Sequence, residues 1–101
     1  MMDYNQLEAL VVAWADQKGI LTNGTPVGQA AKTLEEAREL YNAVQEEDKE
    51  EVVDALGDVL VTIIIQAKMQ NVSLIECLNS AYKIISKRTG QMIDGQFVKD
   101  A

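Results

Sequence analysis

Two short runs of carboxylates carry the chemistry this sequence can offer. Glu35, Glu36 and Glu39 stand in one segment, and Asp54 and Asp58, with Glu51 one turn earlier, stand in the next. On a helix, at ~100° per residue, Glu51, Asp54 and Asp58 fall within about 60° of arc, and Glu35, Glu36 and Glu39 within about 100°. Like charges three and four positions apart repel, and Asp is a poor helix former, so something positive should hold them. Lys32, one turn before the first run, and Arg38 at its flank relieve only part of that repulsion. From the residues alone two readings stand. The runs are solvated faces of two helices, or the two helices pack antiparallel and four or five oxygen donors converge on a hard divalent cation. One detail resists the solvated reading: the side bearing Asp58 continues as Val61, Thr62 and Ile65, turning apolar within two turns.

The composition narrows the chemistry further. At 101 residues the chain reads as one small domain, rich in aliphatic side chains and poor in aromatics, which suits helices packed on helices. A net charge of −7 argues against a general binder of DNA or RNA, whose affinity comes from clustered Lys and Arg displacing counterions. An acidic protein that handles a polyanion needs bridging cations. There is no histidine, which removes the common zinc sites and histidine-based triads. The lone Cys77 has no partner for a disulfide and no base to activate it, so it reads as structural and the compartment as reducing. The N-terminal stretch lacks a basic n-region, and the most apolar run, Val59 to Ile65, is far shorter than the ~20 residues that span a bilayer. A cytoplasmic protein without membrane contact is expected.

Stepping along the chain, helical periodicity dominates. Leu7, Leu10, Val11 and Trp14 predict a helix over 3–18, stopped by Gly19. Thr22-Asn23-Gly24-Thr25-Pro26 reads as a turn-rich connection, with Pro26 suited to a helix's first position. A second helix over 28–45 presents Ala30, Leu34, Ala37, Tyr41 and Val44 as its apolar face. Thr33-x-x-Glu36 also matches a capping box, but Ala30 and Ala31 favour the earlier start. Asp48 is placed to cap a third helix over 49–70, with Val52, Val53, Leu56, Val59, Leu60, Ile63, Ile64 and Ala67 inward. Ser73-x-x-Glu76 opens a fourth over 74–88, with Leu74, Leu78, Ala81, Tyr82 and Ile85 inward and Gly90 ending it. The tail, Gln91 to Val98, is extended around Asp94-Gly95, a hairpin signal that would be marginal unless docked.

The wording of the acidic segments, Gln29-x-x-Lys32-x-x-Glu35-Glu36-x-x-Glu39-Leu40 followed by Asp54-Ala-Leu-Gly-Asp58-Val-Leu, resembles the MazG family of all-α nucleotide pyrophosphohydrolases. The likeness is to its short, single-domain, phage-type members, and it runs from Trp14 to Lys87-Arg88-x-Gly90 and the tail. It implies an all-α, four-helix MazG-like bundle over 1–101 with a short extended C-terminal tail. It also implies assembly into homodimers or homotetramers with sites at subunit interfaces. The implied reaction is Mg²⁺-dependent hydrolysis of a (d)NTP between the α and β phosphates, with Mn²⁺ a possible substitute, for nucleotide-pool control or sanitising. In a phage-encoded chain this would occur in the host cytoplasm.

The family pattern, a Glu-x-x-Glu helix facing a Glu-x-x-Asp helix, maps onto Glu36 and Glu39 with Glu35 the extra preceding acid, and onto Asp58. The family's second-motif glutamate would fall at position 55, where this chain has Ala55. Asp54 is then the substitute ligand and Glu51 the second choice. By the resemblance Glu35, Glu36, Glu39, Asp54 and Asp58 hold metal, and Glu35 is the favoured base. Lys83, Lys87 and Arg88 either complement the dipole of the last helix or, as the resemblance implies, bind phosphate, the family's frequent asparagine near 83 being a lysine here. Trp14 is read either as a core residue or as a platform that stacks on the base, with Gln17, Gln29 or Lys32 at the pocket rim. Two other functions remain: a non-catalytic acidic helical oligomerisation module, which Ala55 favours, and a hydrolase of another phosphoanhydride such as a guanosine alarmone.

Overall fold

The computed structural model describes residues 1–101. Five helices precede a two-stranded hairpin: α1 Tyr4–Gln17, α2 Ile20–Asn23, α3 Pro26–Gln45, α4 Lys49–Met69, α5 Leu74–Ile85, β1 Gly90–Ile93 and β2 Gln96–Lys99. Each helix start has a local cause. Asp3 and Gln6 form a reciprocal capping box for α1, which the sequence reading missed. Thr25 caps α3 through the Gly28 amide with Pro26 in the first turn, so α3 begins two residues before the expected start and Thr33 lies inside it. Asp48 accepts from the Glu51 amide to open α4, and Ser73 from the Glu76 amide to open α5, both as their sequence motifs indicate. Gly19, at φ 77°, takes the left-handed conformation that lets α1 stop and the chain turn into α2.

The expected four helices become five, because the stretch read as a pure turn contains the single helical turn α2. The last helix stops at Ile85 rather than 88, with Ser86 as its C-cap. Gly90 accordingly opens a strand instead of ending a helix. The tail is a hairpin: Gly90 pairs with Lys99 and Ile93 with Gln96 around Asp94 and Gly95, both at positive φ as a tight turn of this twist requires.

The chain does not close into a four-helix bundle. α3 and α4 form an antiparallel pair, α1 packs on α4, and α2 joins α1 to the pair. α5 touches the rest only around Leu74, and every later residue of the chain is exposed. The radius of gyration is 15.8 Å, against about 13 Å for a compact chain of this length. No helix is long and apolar enough to cross a membrane.

The faces expected to be buried need correcting. On α3, Ala30, Leu34, Ala37, Tyr41 and Val44 are all exposed. The side turned to α4 is instead Gln29, Thr33, Glu36, Leu40 and Ala43, which are buried or half-buried. On α4, Val53, Leu56 and Leu60 are exposed, while Ala55, Thr62, Ile64, Ile65 and Ala67 are buried. The inward residues of α5, from Leu78 through Tyr82 to Ile85, are exposed as well. The two long helices thus meet along their narrower, more polar seam and leave their broad apolar faces outward.

Candidate functional site

The α3–α4 seam is held by small residues and by hydrogen bonds that run from buried at Gln29 to exposed at Gln66. Ala43 and Ala55 allow the backbones to approach. Gln29 Nε2 donates to the Thr62 carbonyl at 3.2 Å, and Thr33 Oγ1 donates to Thr62 Oγ1 at 2.9 Å. Thr62 Oγ1 itself donates to the Val59 carbonyl at 2.6 Å. At the far end Gln66 Nε2 donates to the Pro26 carbonyl at 2.9 Å. Buried polar groups tolerate only a register in which each finds its partner, so this network sets how α3 lies along α4.

That register opens a cavity of about 240 Å³ beside the seam. Gln29, Lys32 and Glu36 enter it from α3, Asp58 from α4 and Trp14 from α1. Ile20 of α2 closes one side, and Val61, Thr62 and Ile65 form an apolar floor. One face of α4 therefore has the acidic-then-apolar run noted in the sequence because Asp58 lines the rim and the apolar residues line the floor of one pocket.

The charges are unevenly matched. Lys32 Nζ lies 3.4 Å from Glu35 Oε1 and 3.7 Å from Glu36 Oε1, and its pairing with Glu35 raises the Lys32 pKa above the ordinary lysine value. The Glu36 carboxyl is held above the usual carboxylate range, first by its hydrogen bond with Glu39, then by burial and by the Glu39 charge, with Lys32 opposing. Glu36 Oε2 is buried with no hydrogen-bond partner at all. An orphaned carboxylate oxygen is costly to bury, and it points to a ligand that satisfies it. No three acidic side chains converge into a ready-made cation cage; Lys32 stands among the α3 carboxylates instead.

The structure brings together Trp14, Gln29, Lys32, Glu36 and Asp58 in one cavity. Glu35 and Glu39 adjoin it on α3 through Lys32 and Glu36. Asp54 lies apart, in a shallow depression with Lys49, Glu50, Glu51 and Val53, and the position turned to α3 is Ala55. Lys83, Lys87 and Arg88 lie on and beyond the exposed α5, away from the cavity of the same chain. Ile20, Thr33 and Thr62 were not foreseen. Mid-helix threonines at 33 and 62 are the signal that could have found the last two, since a β-branched hydroxyl in a helix interior calls for a reason.

Comparison with known proteins bears on this arrangement. The family profile described as the MazG nucleotide pyrophosphohydrolase domain matches residues 25–92, which span α3, α4, α5 and the first strand. A protein of Haemophilus phage HP1 (strain HP1c1), described as an uncharacterized 18.2 kDa protein in the rep-hol intergenic region, is 31% identical over 72 residues. Those residues are 71% of this chain and 44% of the phage protein, so the chain spans less than half of that relative. No solved structure matches.

Proposed function

From the premise that the chain belongs to the MazG nucleotide pyrophosphohydrolase family, we propose that it hydrolyses a nucleoside triphosphate between the α and β phosphates with Mg²⁺ as cofactor. The observation that carries this reading is Glu36: a buried, partnerless carboxylate oxygen in a cavity shared with Asp58, Lys32 and Trp14. The donor set is all oxygen, as a hard divalent cation prefers. Glu36, Glu39 and Asp58 would hold the metal, leaving Glu35 free, and Asp54 would join them only by a change at the start of α4. Bound there, Mg²⁺ supplies charge neutralisation on the phosphate oxygens and a lowered pKa for coordinated water.

The chain's own residues do the rest. Lys32, already placed among the carboxylates, would be free to meet a phosphate oxygen if Glu35 and Glu36 no longer paired with it. Trp14 offers its ring to the base, and Gln29, locked onto the Thr62 carbonyl, offers a rigid amide beside it. Glu35, with its side chain 58% exposed, is the carboxylate free to take the proton of the attacking water. The water oxygen bonds to the α phosphorus, the bridging bond to the β phosphate breaks, and pyrophosphate leaves with the nucleoside monophosphate retained. The cationic Lys83, Lys87 and Arg88 reach such a phosphate only from another copy of the chain.

The test is pyrophosphate release from each of the eight standard (d)NTPs and a guanosine alarmone, with Mg²⁺ or Mn²⁺. Glu36→Ala should abolish release while far-ultraviolet circular dichroism stays unchanged. Absence of release from every compound by the wild-type chain would leave a nucleotide binder without turnover, the reading that Ala55 at the seam favours.

A further inference from the structure

Gln29 lines the cavity with only 9% of its surface exposed. Its amide has a fixed sense. Nε2 donates to the Thr62 main-chain carbonyl at 3.2 Å, and a carbonyl only accepts, so the amino half faces Thr62 and Oε1 faces away. No neighbouring hydrogen is left for Oε1. Thr62 spends its hydroxyl proton on the Val59 carbonyl, and Thr33 gives its own to Thr62 Oγ1 or the Gln29 main-chain carbonyl. Lys32 Nζ lies on Glu35 and Glu36. Oε1 is therefore unpartnered but, unlike Glu36 Oε2, not sealed off, and it opens on the cavity that Gln29 lines. A fixed acceptor beside the apolar Val61 and Ile65 calls for a donor from a ligand.

Gln29 and Glu36 share one face of α3, two turns apart, which is about 10 Å of helix rise. α4 runs the opposite way, with Asp58 toward the Glu36 end of the cavity and Thr62 and Ile65 toward the Gln29 end. Phosphates held at the carboxylate end leave the base of a nucleotide at the Gln29 end, beside the half-exposed Trp14. In a pyrimidine, position 4 lies across the ring from the nitrogen that carries the sugar. In a purine, position 6 is on the ring remote from the sugar. The group at that position enters first. Cytosine and adenine carry an amino donor there, whereas thymine and guanine carry a keto acceptor, as uracil does.

We propose that Gln29 selects the base: its Oε1 accepts from the exocyclic amino group of cytosine or adenine and repels the keto oxygen of uracil, thymine or guanine. Base choice by Gln29 rests on the nucleotide reading above and adds the base class to it. A glutamine free to rotate would present Nε2 to a keto base just as readily, and the bond to the Thr62 carbonyl removes that option. A buried site built to receive a donor rejects the analogue lacking it far more strongly than an apolar pocket rejects a change of size. Stacking on Trp14 is indifferent to the exchange, since every base has a π face. Affinity and choice are thus divided between Trp14 and Gln29.

Nucleoside monophosphates test this without turnover, because they have no bond between α and β phosphates. Trp14 is the only tryptophan, so quenching of its fluorescence follows the base. The pairs dCMP and dUMP, and dAMP and dIMP, differ by an amino-for-keto exchange at the position in question. In Mg²⁺ the amino member of each pair should bind about tenfold more tightly or better. Gln29→Met, of similar length but without the amide, should bring each ratio to within about twofold. Thr33→Val, which loosens the same network but leaves the amide on the Thr62 carbonyl, should keep the preference. Equal or tighter binding of a keto member by the wild type, or no quenching by any of the four, overturns the assignment whether or not the variants fold. A Gln29→Met chain that keeps the ratio, or a Thr33→Val chain that loses it as well, also overturns it. A chain that releases no pyrophosphate can still prefer dCMP to dUMP, and one that cleaves every triphosphate alike fails only here, so the two readings fail separately.

Discussion

Replacing Glu36 by glutamine should stabilise the metal-free protein and abolish its response to magnesium. The substitution keeps the shape and removes the charge of a side chain whose Oε2 is buried and unpartnered. It relieves like-charge repulsion with Glu39 and Glu35, each about 0.2–0.5 kcal/mol for neighbours on a helix. It also removes the desolvation of a charged orphan oxygen, about 1–3 kcal/mol, of which a buried amide retains a part. The 3.7 Å attraction to Lys32 is lost, which costs about 0.3–0.5 kcal/mol. The balance is a gain of about 1 kcal/mol, or about 4–8 °C in melting temperature for a domain of this size. The pH dependence has a definite sign. The Glu36 pKa is raised on folding, so its contribution is favourable below the ordinary carboxylate range and is lost as pH rises through the folded value. The advantage of glutamine is therefore largest at neutral pH and vanishes near pH 4. With Mg²⁺ at a hundred times its dissociation constant, the wild type gains about 2.7 kcal/mol and the variant little. Calorimetric melts at equal protein concentration, in chelator and in Mg²⁺, read both effects. A variant that melts below wild type in chelator, or gains as much from Mg²⁺, refutes the assignment of Glu36.

Three further outcomes are expected. Thr62→Val, which keeps the side-chain shape but removes the hydroxyl between Thr33 and the Val59 carbonyl, should cost about 1 kcal/mol, read as a shift in the urea midpoint. An unchanged midpoint would mean the network does not hold the seam. Trp14→Leu should raise KM for the triphosphate up to about tenfold with kcat little changed, the loss expected of one stacking contact; unchanged KM would remove Trp14 from the base site. Gly90→Ala would drive a methyl group into the Val98 carbonyl, the tip of the Phe97 ring and the Lys99 backbone. Amide exchange across β1 and β2 should then approach that of an open chain while the helices keep their protection, and retained protection in the hairpin would refute the clash.

Much of the local structure was legible because its causes are local. Asp48, Ser73, Pro26 and Gly19 act within one turn of themselves, and the structure shows each at the helix boundary its chemistry favours. The hairpin at Asp94-Gly95 was legible for the same reason. The single turn α2 and the early end of α5 were not, since four residues carry no period and Lys87-Arg88 are good helix formers that the chain leaves unused.

The acidic residues and their spacing were likewise readable, and so was the side of α4 that turns from Asp58 to an apolar floor. Their separation into roles was not. Glu35, Glu36 and Glu39 look alike in sequence, yet only Glu36 lies on the row with Gln29 and Thr33 that meets α4, which is why it is the one with a buried oxygen. Asp54 and Ala55 are one residue apart, and 100° of helix rotation puts the alanine against α3 and the aspartate outside.

The sequence by itself determined the four longer helices, the caps at Asp48 and Ser73, the hairpin turn and the presence of two acidic runs, because backbone geometry and period respond to neighbours within a few residues. Only the tertiary structure decided which stripe of each long helix turns inward. A period shows that a helix has an apolar face but not what covers it. Here hydrogen bonds among Gln29, Thr33 and Thr62 and the close approach of Ala43 and Ala55 bring the polar stripes together and leave Leu34, Tyr41 and Leu56 outside.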